Sequence, residues 1–364
     1  MKLHCLILAN LACLAGCGPS KPTAGQDPYP EPPPASFQLV PGEAGPDDIG
    51  LFLAGMPVHR GTGLSRLQQT AEYQTHHREM GYMWRYTRTR LNLMRSWSGS
   101  ELAPVVGGGG AVLYPFGGPD LLHVSALFPQ AKSYVLMGLE PVGDVPALEQ
   151  LPPGEVLAAL AAFRQAMRTQ LVAGYFVTEE MRSELGRSVL RGVTPILLST
   201  VALSGGQVES VSGMAASGKP GVGLQFRDAA GLRHSAFYVA GDLSNRGFDA
   251  GYRQWLAGQG GNVTYFKAAS YLMHDDRFSQ ARDFFLSQSR VILQDDSGIP
   301  FRHFAHGWSL RFYGNYERPI ALFAKHQQND LRQAFAMNPR GPLEFGSGYQ
   351  VNQWQGNLLL AVRQ

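Results

Sequence analysis

The first regular pattern in this chain is a helical spacing of apolar side chains over residues 62–98. The recurring apolar positions are Leu64, Leu67, Ala71, Met80, Met83, Trp84, Leu91 and Met94. Apolar residues three or four positions apart lie on one face of an α-helix. We therefore predict a long amphipathic helix that breaks or bends at Gly81, with Trp84 and Trp97 in the core rather than in a ligand site.

A strand–turn–helix–strand pattern follows the four glycines at 107–110. Residues 111–116 form an apolar run typical of a buried strand, and Gly117, Gly118 and Pro119 then turn the chain. Pro119 suits the first turn of a helix, and Asp120 suits its positive end. A helix over 121–127 and a buried strand over 133–139 follow, and the strand ends in Glu140. The segment predicts a βαβ unit with a carboxylate at the tip of its second strand.

Strands and helices continue to alternate towards the C-terminus. A helix is predicted over 155–184 with a weak point at Gly174, and another over 194–203 with Thr194 as its cap and Pro195 as its first residue. Further helices are predicted at 248–256 and 278–289, and strands at 207–212, 222–227, 234–239, 263–266, 291–293, 308–313 and 358–362. This order predicts an α/β fold: a mixed, largely parallel sheet flanked by helices, with an added β-hairpin region.

The N-terminus has the pattern of an export signal. Lys2 precedes an apolar stretch over residues 5–14, which is shorter than the roughly 20 residues of a transmembrane helix. Residues 14–17, Leu-Ala-Gly-Cys, resemble the lipobox of bacterial lipoprotein signal peptides. That resemblance implies a signal peptide over 1–16, acylation of Cys17 with chains such as palmitate, and, with Gly18 rather than an aspartate next, the outer membrane. An ordinary secretory signal or an uncleaved apolar start are the alternatives.

Cysteine and proline usage agree with export and anchoring. Cysteines occur at 5, 13 and 17 alone, so cleavage would leave a body without disulfide, thiol nucleophile or cysteine metal ligand. Several acyl chains on one residue give stable membrane anchoring. Nine prolines from Pro19 to Pro46 predict an extended tether over 17–46, with a proline-rich docking motif as the alternative. Residues 47–364 are then one large domain or two fused lobes, and we favour a single domain.

The charge content of the chain argues against one class of binding partner, nucleic acids. Charged residues make up 16% of the chain, the net charge is +3, and no basic run occurs, which argues against nucleic-acid binding. The expected partners are the membrane, through the N-terminal lipid, and an unidentified small ligand or envelope protein.

Polar groups should gather at one edge of the predicted sheet. They are the turn at 117–120, Glu140, the stretch at 270–276 and the Asp-Asp-Ser-Gly sequence at 295–298. Each follows a predicted strand, and ligands of open α/β sheets bind at the carboxyl ends of the strands.

The glycine turn and Glu140 resemble the nucleotide or S-adenosylmethionine site of Rossmann-like proteins. The resemblance implies ligand contacts to the backbone of Gly117 and Gly118 and a ribose contact from Glu140. The third glycine of GxGxxG is missing here, since Pro119 and Asp120 follow directly. Exported compartments hold little free NAD, ATP or S-adenosylmethionine, so we interpret this segment as the fold without its usual cofactor, and the sequence identifies no other cofactor.

Asp295 and Asp296 have two interpretations. They could bind a cation or work as an acid–base pair, or they could belong to an ordinary turn. His274, with His303 and His306, could supply metal ligands, although their spacing matches no zinc motif.

Two further histidines and the serines point to no chemistry. His76 and His77 are expected on the surface of the early helix. A serine hydrolase triad would need a Gly-x-Ser-x-Gly elbow, and the sequence has none.

Three segments, 114–143, 266–274 and 292–300, are similar to segments of uncharacterised bacterial proteins. That similarity implies a shared fold and no particular activity. Three hypotheses follow: an envelope lipoprotein that binds a ligand or partner at the strand ends, an envelope hydrolase that uses the clustered acids and histidines, and a Rossmann-like methyltransferase relative with lost or altered cofactor use.

Overall fold

The computed structural model describes residues 44–59, 61–176, 188–304 and 306–364. The predicted signal peptide, Cys17 and the tether as far as residue 43 lie outside these residues, as do positions 177–184 of one predicted helix. Within the described part, no helix combines the length and the apolar character needed to cross a membrane.

A nine-stranded mixed sheet forms the centre of the fold. Its strands are β1 Ala111–Tyr114, β2 Ser133–Gly138, β3 Gln207–Ala216, β4 Lys219–Arg227, β5 Arg233–Ala240, β6 Gly261–Phe266, β7 Val291–Gln294, β8 Trp308–Gly314 and β9 Asn357–Arg363. They are ordered β3-β4-β5-β2-β1-β6-β7-β9-β8 across the sheet. The run from β5 to β7 is parallel, whereas β3 and β4 form an antiparallel hairpin edge and β9 runs antiparallel between β7 and β8. The predicted α/β fold with an added hairpin is confirmed.

The five parallel strands have the Rossmann order. Numbered along the chain, they lie 3-2-1-4-5 across the sheet, with β1 in the centre and β6 on its other side. The order therefore reverses between β1 and β6. The carboxyl ends of these two strands form the topological switch point, where open α/β sheets bind their ligands.

Helices cover both faces of the sheet. They are α1 Pro46–Leu53, α2 Leu64–Leu67, α3 Ala71–Glu101, α4 Ala103–Val106, α5 Leu121–Leu127, α6 Pro153–Arg168, α7 Thr194–Leu203, α8 Ala250–Gly258, α9 Ser279–Gln288 and α10 Asn329–Met337. Residues of α1, α3, α5, α6 and α7 share one core with Val112 of β1, and residues of α8, α9 and α10 share another with Leu113. Successive residues of β1 thus enter opposite layers.

Short helical turns connect these elements. Five are 3-10 turns, Leu148–Gln150, Leu272–His274, Asp276–Phe278, Phe301–His303 and Ala321–His326, and one is a π-helical turn, Thr169–Ala173. The helix predicted over 155–184 is shorter than expected, because α6 passes into the π turn and Gly174, with φ of 95°, ends it in the left-handed region.

Three local predictions were wrong. The helix α3 runs unbroken through Gly81, because one glycine costs a helix only about 1 kcal/mol and the buried Met80 and Met83 beside it outweigh that cost. His76 is fully buried, with Nε2 2.9 Å from the carbonyl oxygen of Leu53, whereas His77 is exposed as predicted. Thr194 does not cap α7; its hydroxyl donates to the carbonyl oxygens of residues 142 and 143.

Candidate ligand site at the switch point

A buried ion pair joins the two strands of the switch point. Asp120 follows β1 and caps α5, accepting a hydrogen bond from the backbone N–H of His123 at 3.3 Å. Lys267 directly follows β6, and its ammonium donates to the Asp120 carboxylate and to the carbonyl oxygen of Gly174. The two side chains are 1% and 3% exposed. The pair therefore ties β1 to β6 where their carboxyl ends diverge.

Further donors hold the Asp120 carboxylate. His123 Nδ1 lies 2.7 Å from Oδ1, the Tyr114 hydroxyl donates to Oδ2 at 2.9 Å, and Gln170 Nε2 donates to Oδ1 at 3.1 Å. Burial alone would raise the pKa of Asp120, but His123 and Lys267 outweigh it and hold the pKa well below its usual range. Burial lowers the pKa of His123 to about 4 against the opposing effect of Asp120. At neutral pH the site therefore holds a charged carboxylate and a neutral imidazole.

Three buried polar atoms around this pair have no hydrogen-bond partner among the described residues. They are Tyr265 Oη, Gln170 Oε1 and Arg90 Nε. The Tyr265 ring packs 4.8 Å from the Tyr114 ring, and the other Arg90 nitrogens donate to carbonyl oxygens of residues 170–172. Because buried polar groups are nearly always paired, these atoms mark a place for water or for the polar groups of a ligand.

Two adjacent carboxylates lie at the end of β7. Asp295 accepts from the backbone N–H of Ala268 at 2.8 Å, from that of Ser297 at 2.9 Å, and from the Ser297 hydroxyl. Asp296 accepts from the Tyr271 hydroxyl and from Asn357 Nδ2 at 3.0 Å. Burial, and then the charge of Asp296, raises the pKa of Asp295 to about 7. A carboxyl group with this pKa can take up and release a proton at neutral pH.

The backbone after β1 and β6 is strained. Ala268, Ser270 and Tyr271 after β6, and Phe116 after β1, have φ values of 50°, 51°, 54° and 62°. Such left-handed conformations cost side-chain-bearing residues about 1–3 kcal/mol each and cluster at functional sites. The Tyr349 hydroxyl supports the segment after β6, since it donates to the Ala268 carbonyl oxygen at 2.8 Å and accepts from the Ser270 N–H at 3.1 Å.

Groups of the protein itself occupy the positions that the Rossmann resemblance gives to a ligand. Glu140, at the end of β2, is 4% exposed and accepts from the Tyr238 hydroxyl at 3.0 Å and from the Leu139 N–H at 3.1 Å. The Tyr114 ring fills the space where a side chain on Gly117 would lie, and Gly118 lies against the Glu140 carboxylate. The glycines accommodate these contacts.

The predicted histidines lie apart from the carboxylates. The Tyr271 hydroxyl donates to Asp296, and the centroid of the Tyr271 ring lies 5.2 Å from that of the His274 ring. His303 lies in the 3-10 turn after β7, and His306 is exposed. Among the described residues, no three His, Cys, Asp or Glu side chains come together as metal ligands. The described structure therefore does not assemble the metal-ligand set suggested for His274, His303 and His306.

Several residues of the site were not predicted. Lys267 follows a predicted strand directly, so the strand-end argument that selected Asp295 could also have selected it. Arg90 and Gln170 lie in helical segments that are more than 20 residues from the end of β1 along the chain. The sequence around them has no motif that indicates a ligand site.

Comparisons with protein-family models, with curated proteins and with solved structures found no significant match. The function is therefore inferred from the residues and their geometry. The arrangement offers a charged pair, a carboxyl group that titrates near neutral pH, and unpaired polar atoms at one sheet edge.

Proposed function

We propose that this chain is a lipid-anchored protein of the bacterial envelope that binds a small polar ligand at the switch point between β1 and β6. The unpaired atoms of Tyr265, Gln170 and Arg90 around a buried ion pair carry the proposal. A buried network of this kind is complete only when further polar atoms enter it. The carboxyl ends of parallel strands at a switch point are also where folds of this class bind ligands.

The unpaired donor and acceptor atoms of the site indicate which chemical class of ligand it would bind. Arg90 Nε can donate, Gln170 Oε1 can accept, and the Tyr265 hydroxyl can do either. Asp120 balances Lys267, whereas the other contacts of the buried Arg90 side chain are carbonyl oxygens. A ligand with hydroxyl or amide groups and no positive charge fits this balance, because burying a second unpaired cation would be costly.

A comparison of two tyrosine variants tests ligand binding. Native mass spectrometry of the full-length protein, purified from its own membrane, should show a bound small molecule in the wild type. Tyr265→Phe removes the unpaired hydroxyl and should lose the molecule. Tyr134→Phe removes a buried hydroxyl that donates to the Phe128 carbonyl oxygen at 2.9 Å, away from the site, and should keep it. Equal retention in both variants, or no bound molecule in any of the three proteins, would count against the proposal.

The membrane part of the proposal rests on the Leu-Ala-Gly-Cys sequence at 14–17 and on the proline-rich segment that follows. Cys17→Ser should abolish labelling with radioactive palmitate and move the protein from the membrane fraction to the soluble fraction. A Cys17→Ser protein that stays in the membrane fraction as the wild type does would contradict lipid anchoring.

A second candidate function is acid–base catalysis at the same edge. It is favoured by Asp295, whose pKa of about 7 suits a general acid or base. Asp295→Asn would then abolish turnover of the ligand found by mass spectrometry while the ligand still binds. Unchanged turnover, or none in the wild type, would leave binding as the function.

The third hypothesis, a methyltransferase relative, is supported by the strand order alone. The Rossmann order of the five parallel strands is the order that such a relative would have. The packing of Tyr114 and Glu140 over the glycine turn disfavours the usual cofactor. Added S-adenosylmethionine should therefore leave the melting temperature of the wild type unchanged.

A further inference from the structure

A second polar cluster includes His274 and His326, whose rings both pack against the Tyr271 ring. We name it the Arg282 cluster; it consists of His274, Arg282, Arg302, His303 and His326. Three of its buried nitrogens, His274 Nε2, Arg282 Nε and His303 Nε2, have no hydrogen-bond partner among the described residues. Arg282 itself is 94% buried, being 6% exposed. A buried cation with an unpaired donor costs free energy unless an acceptor forms a hydrogen bond with that donor.

Contacts bring Arg282, His274 and His326 together near the start of α9, and Arg302 and His303 are close enough to act on them electrostatically. Arg282 Nη1 donates to the carbonyl oxygen of Met273 at 2.8 Å, which places the guanidinium beside His274. The His274 ring lies 5.3 Å from the His326 ring. Burial, and then the positive charge of its neighbours, lowers the pKa of His274 to about 3, and burial with Arg282 and Arg302 lowers that of His303.

The surrounding charges favour an anion over a metal ion. Arg282 and Arg302 bring two fixed positive charges, which would repel a cation bound to the imidazoles. The neighbouring acids face water: the Asp276 side chain is 99% exposed and lies 3.7 Å from Arg282 Nη2, and Asp283 is also exposed. Asp275, which acts on His326, is paired with Arg277 at 2.7 Å. Water screens these acids, so the buried part of the cluster stays positive.

We propose that the Arg282 cluster binds an oxyanion of the phosphate class. Since Nη1 of Arg282 is occupied by Met273, its Nε and Nη2 remain for the paired hydrogen bonds that a phosphate accepts from arginine. His274 and His303 each supply one imidazole N–H. Four donors are thus available for a tetrahedral anion, and an anion that reaches all four would satisfy the three unpaired nitrogens. This site is separate from the ligand site at the switch point.

Calorimetric titration of the full-length protein with inorganic phosphate, at constant ionic strength, tests the site. The wild type should bind phosphate saturably. Arg282→Lys keeps the charge and removes the paired donors, so binding should weaken at least tenfold, and His303→Gln should also weaken it. Arg277→Gln removes an arginine that is 75% exposed and already paired with Asp275, and should leave binding unchanged.

The result overturns the proposal if the folded wild type does not bind phosphate saturably, or if Arg277→Gln weakens binding as much as Arg282→Lys does. Circular dichroism checks the fold of each variant. His303 is only half-buried, so His303→Gln decides the test if Arg282→Lys fails to fold. Asp295→Asn, at the other site, should bind phosphate as the wild type does.

Competition experiments identify the source of the phosphate group. Displacement of phosphate by glycerol 1-phosphate would support a soluble phosphate ester as the ligand. Displacement by phosphatidylglycerol vesicles, but by neither the ester nor phosphatidylcholine vesicles, would support a lipid headgroup. Displacement by none of them would mean an adventitious ion only and would overturn the assignment.

Discussion

Asp120 and Lys267 show how single residues hold the switch point together. Taking two charges out of water costs several kcal/mol each, and their attraction offsets this only when further hydrogen bonds complete both groups. Asp120 has those bonds from His123, Tyr114 and Gln170, and Lys267 has one to Gly174. Loss of either partner therefore leaves a buried charge without its counterpart.

Lys267→Met should lower the free energy of unfolding by about 3–5 kcal/mol, because the Asp120 carboxylate stays buried without its cation. Urea denaturation measures the change. As a control, Arg277→Met removes an exposed ion pair with Asp275 and should cost at most about 1 kcal/mol. The double variant Asp120→Asn/Lys267→Met should lose less than the sum of the single losses. Equal, small losses in Lys267→Met and Arg277→Met would contradict the role of the pair.

The contribution of Asp295 to the free energy of unfolding should decrease as pH rises, which is the reverse of the usual effect of an aspartate. Its folded pKa of about 7 lies above the unfolded value near 3.8, so the folded state binds the proton more tightly. This residue's contribution to stability is therefore fully present below pH 4 and is lost as pH rises to about 7, by at most about 4 kcal/mol. Asp295→Asn removes that loss, so the variant should gain stability relative to the wild type as pH rises from 4 to 7.

Asp275→Asn is the matched control for that experiment. Its hydrogen bonds to Arg277 lower the pKa of the exposed Asp275 to about 2, so this residue contributes stability that is lost only as pH falls below about 4. The difference between Asp275→Asn and the wild type should stay constant from pH 4 to pH 7. A constant difference for Asp295→Asn as well would show that Asp295 has an ordinary pKa.

Sequence reasoning at the residue scale worked where a polar side chain follows a strand. Asp120, Glu140, Asp295 and Asp296 all lie at the predicted edge of the sheet, because each follows a strand of the parallel set. It could not find Arg90 or Gln170, since these side chains reach the site through helix packing, which has no local signature. His76 was misplaced for the same reason: its burial depends on α1 packing across α3.

Two glycines within helices, Gly50 in α1 and Gly81 in α3, have opposite effects on stability. Gly50 in α1 lies against α7, where an added Cβ would be 2.7 Å from the carbonyl oxygen of Leu198. Gly81 in α3 has no atom within 4 Å of such a Cβ. Glycine is therefore required at the first position and only weakens the helix at the second.

Gly81→Ala should raise the free energy of unfolding by about 0.5–1 kcal/mol, because alanine is the better helix former. Gly50→Ala should lower it by about 1–3 kcal/mol, because α1 must move away from α7. Thermal and urea unfolding of both variants check the two signs. A loss of stability in Gly81→Ala would show that α3 needs a flexible point there, as the sequence first suggested.

The elements themselves were largely predictable, because apolar periodicity is local. The predicted strands and most predicted helices are present, with ends shifted by a few residues. The alternating pattern also placed the hairpin of β3 and β4, although both strands extend further than predicted. The π turn after α6 was not predicted, since it depends on Thr87 and Arg90 of α3, which donate to the carbonyl oxygens of that turn.

In the whole molecule, the order of the strands across the sheet is the feature that the sequence patterns did not predict. β5 and β6 are consecutive along the chain, yet β2 and β1 lie between them in the sheet, and β9 lies between β7 and β8. Such pairings depend on crossovers and on how helices fill both faces. The reversal between β1 and β6, which creates the switch point, could therefore be seen only in the folded structure.

The described residues form two polar sites. The switch-point site is built from the ends of β1 and β6, and the Arg282 cluster is built from α9 and from turns that contact Tyr271. A lipid on Cys17 would hold both at a membrane surface. If the first site is kept for a ligand, we expect that its residues are not optimised for stability.

The most direct test compares the free energies of unfolding of Tyr265→Phe and Tyr134→Phe with that of the ligand-free wild type. Tyr134→Phe breaks a buried hydrogen bond and should cost about 1 kcal/mol. Tyr265→Phe removes a buried hydroxyl without a partner, so we expect its free energy of unfolding to rise by about 1 kcal/mol. If Tyr265→Phe instead loses as much stability as Tyr134→Phe, the hydroxyl is already paired within the fold, and the switch point is part of the core rather than a ligand site.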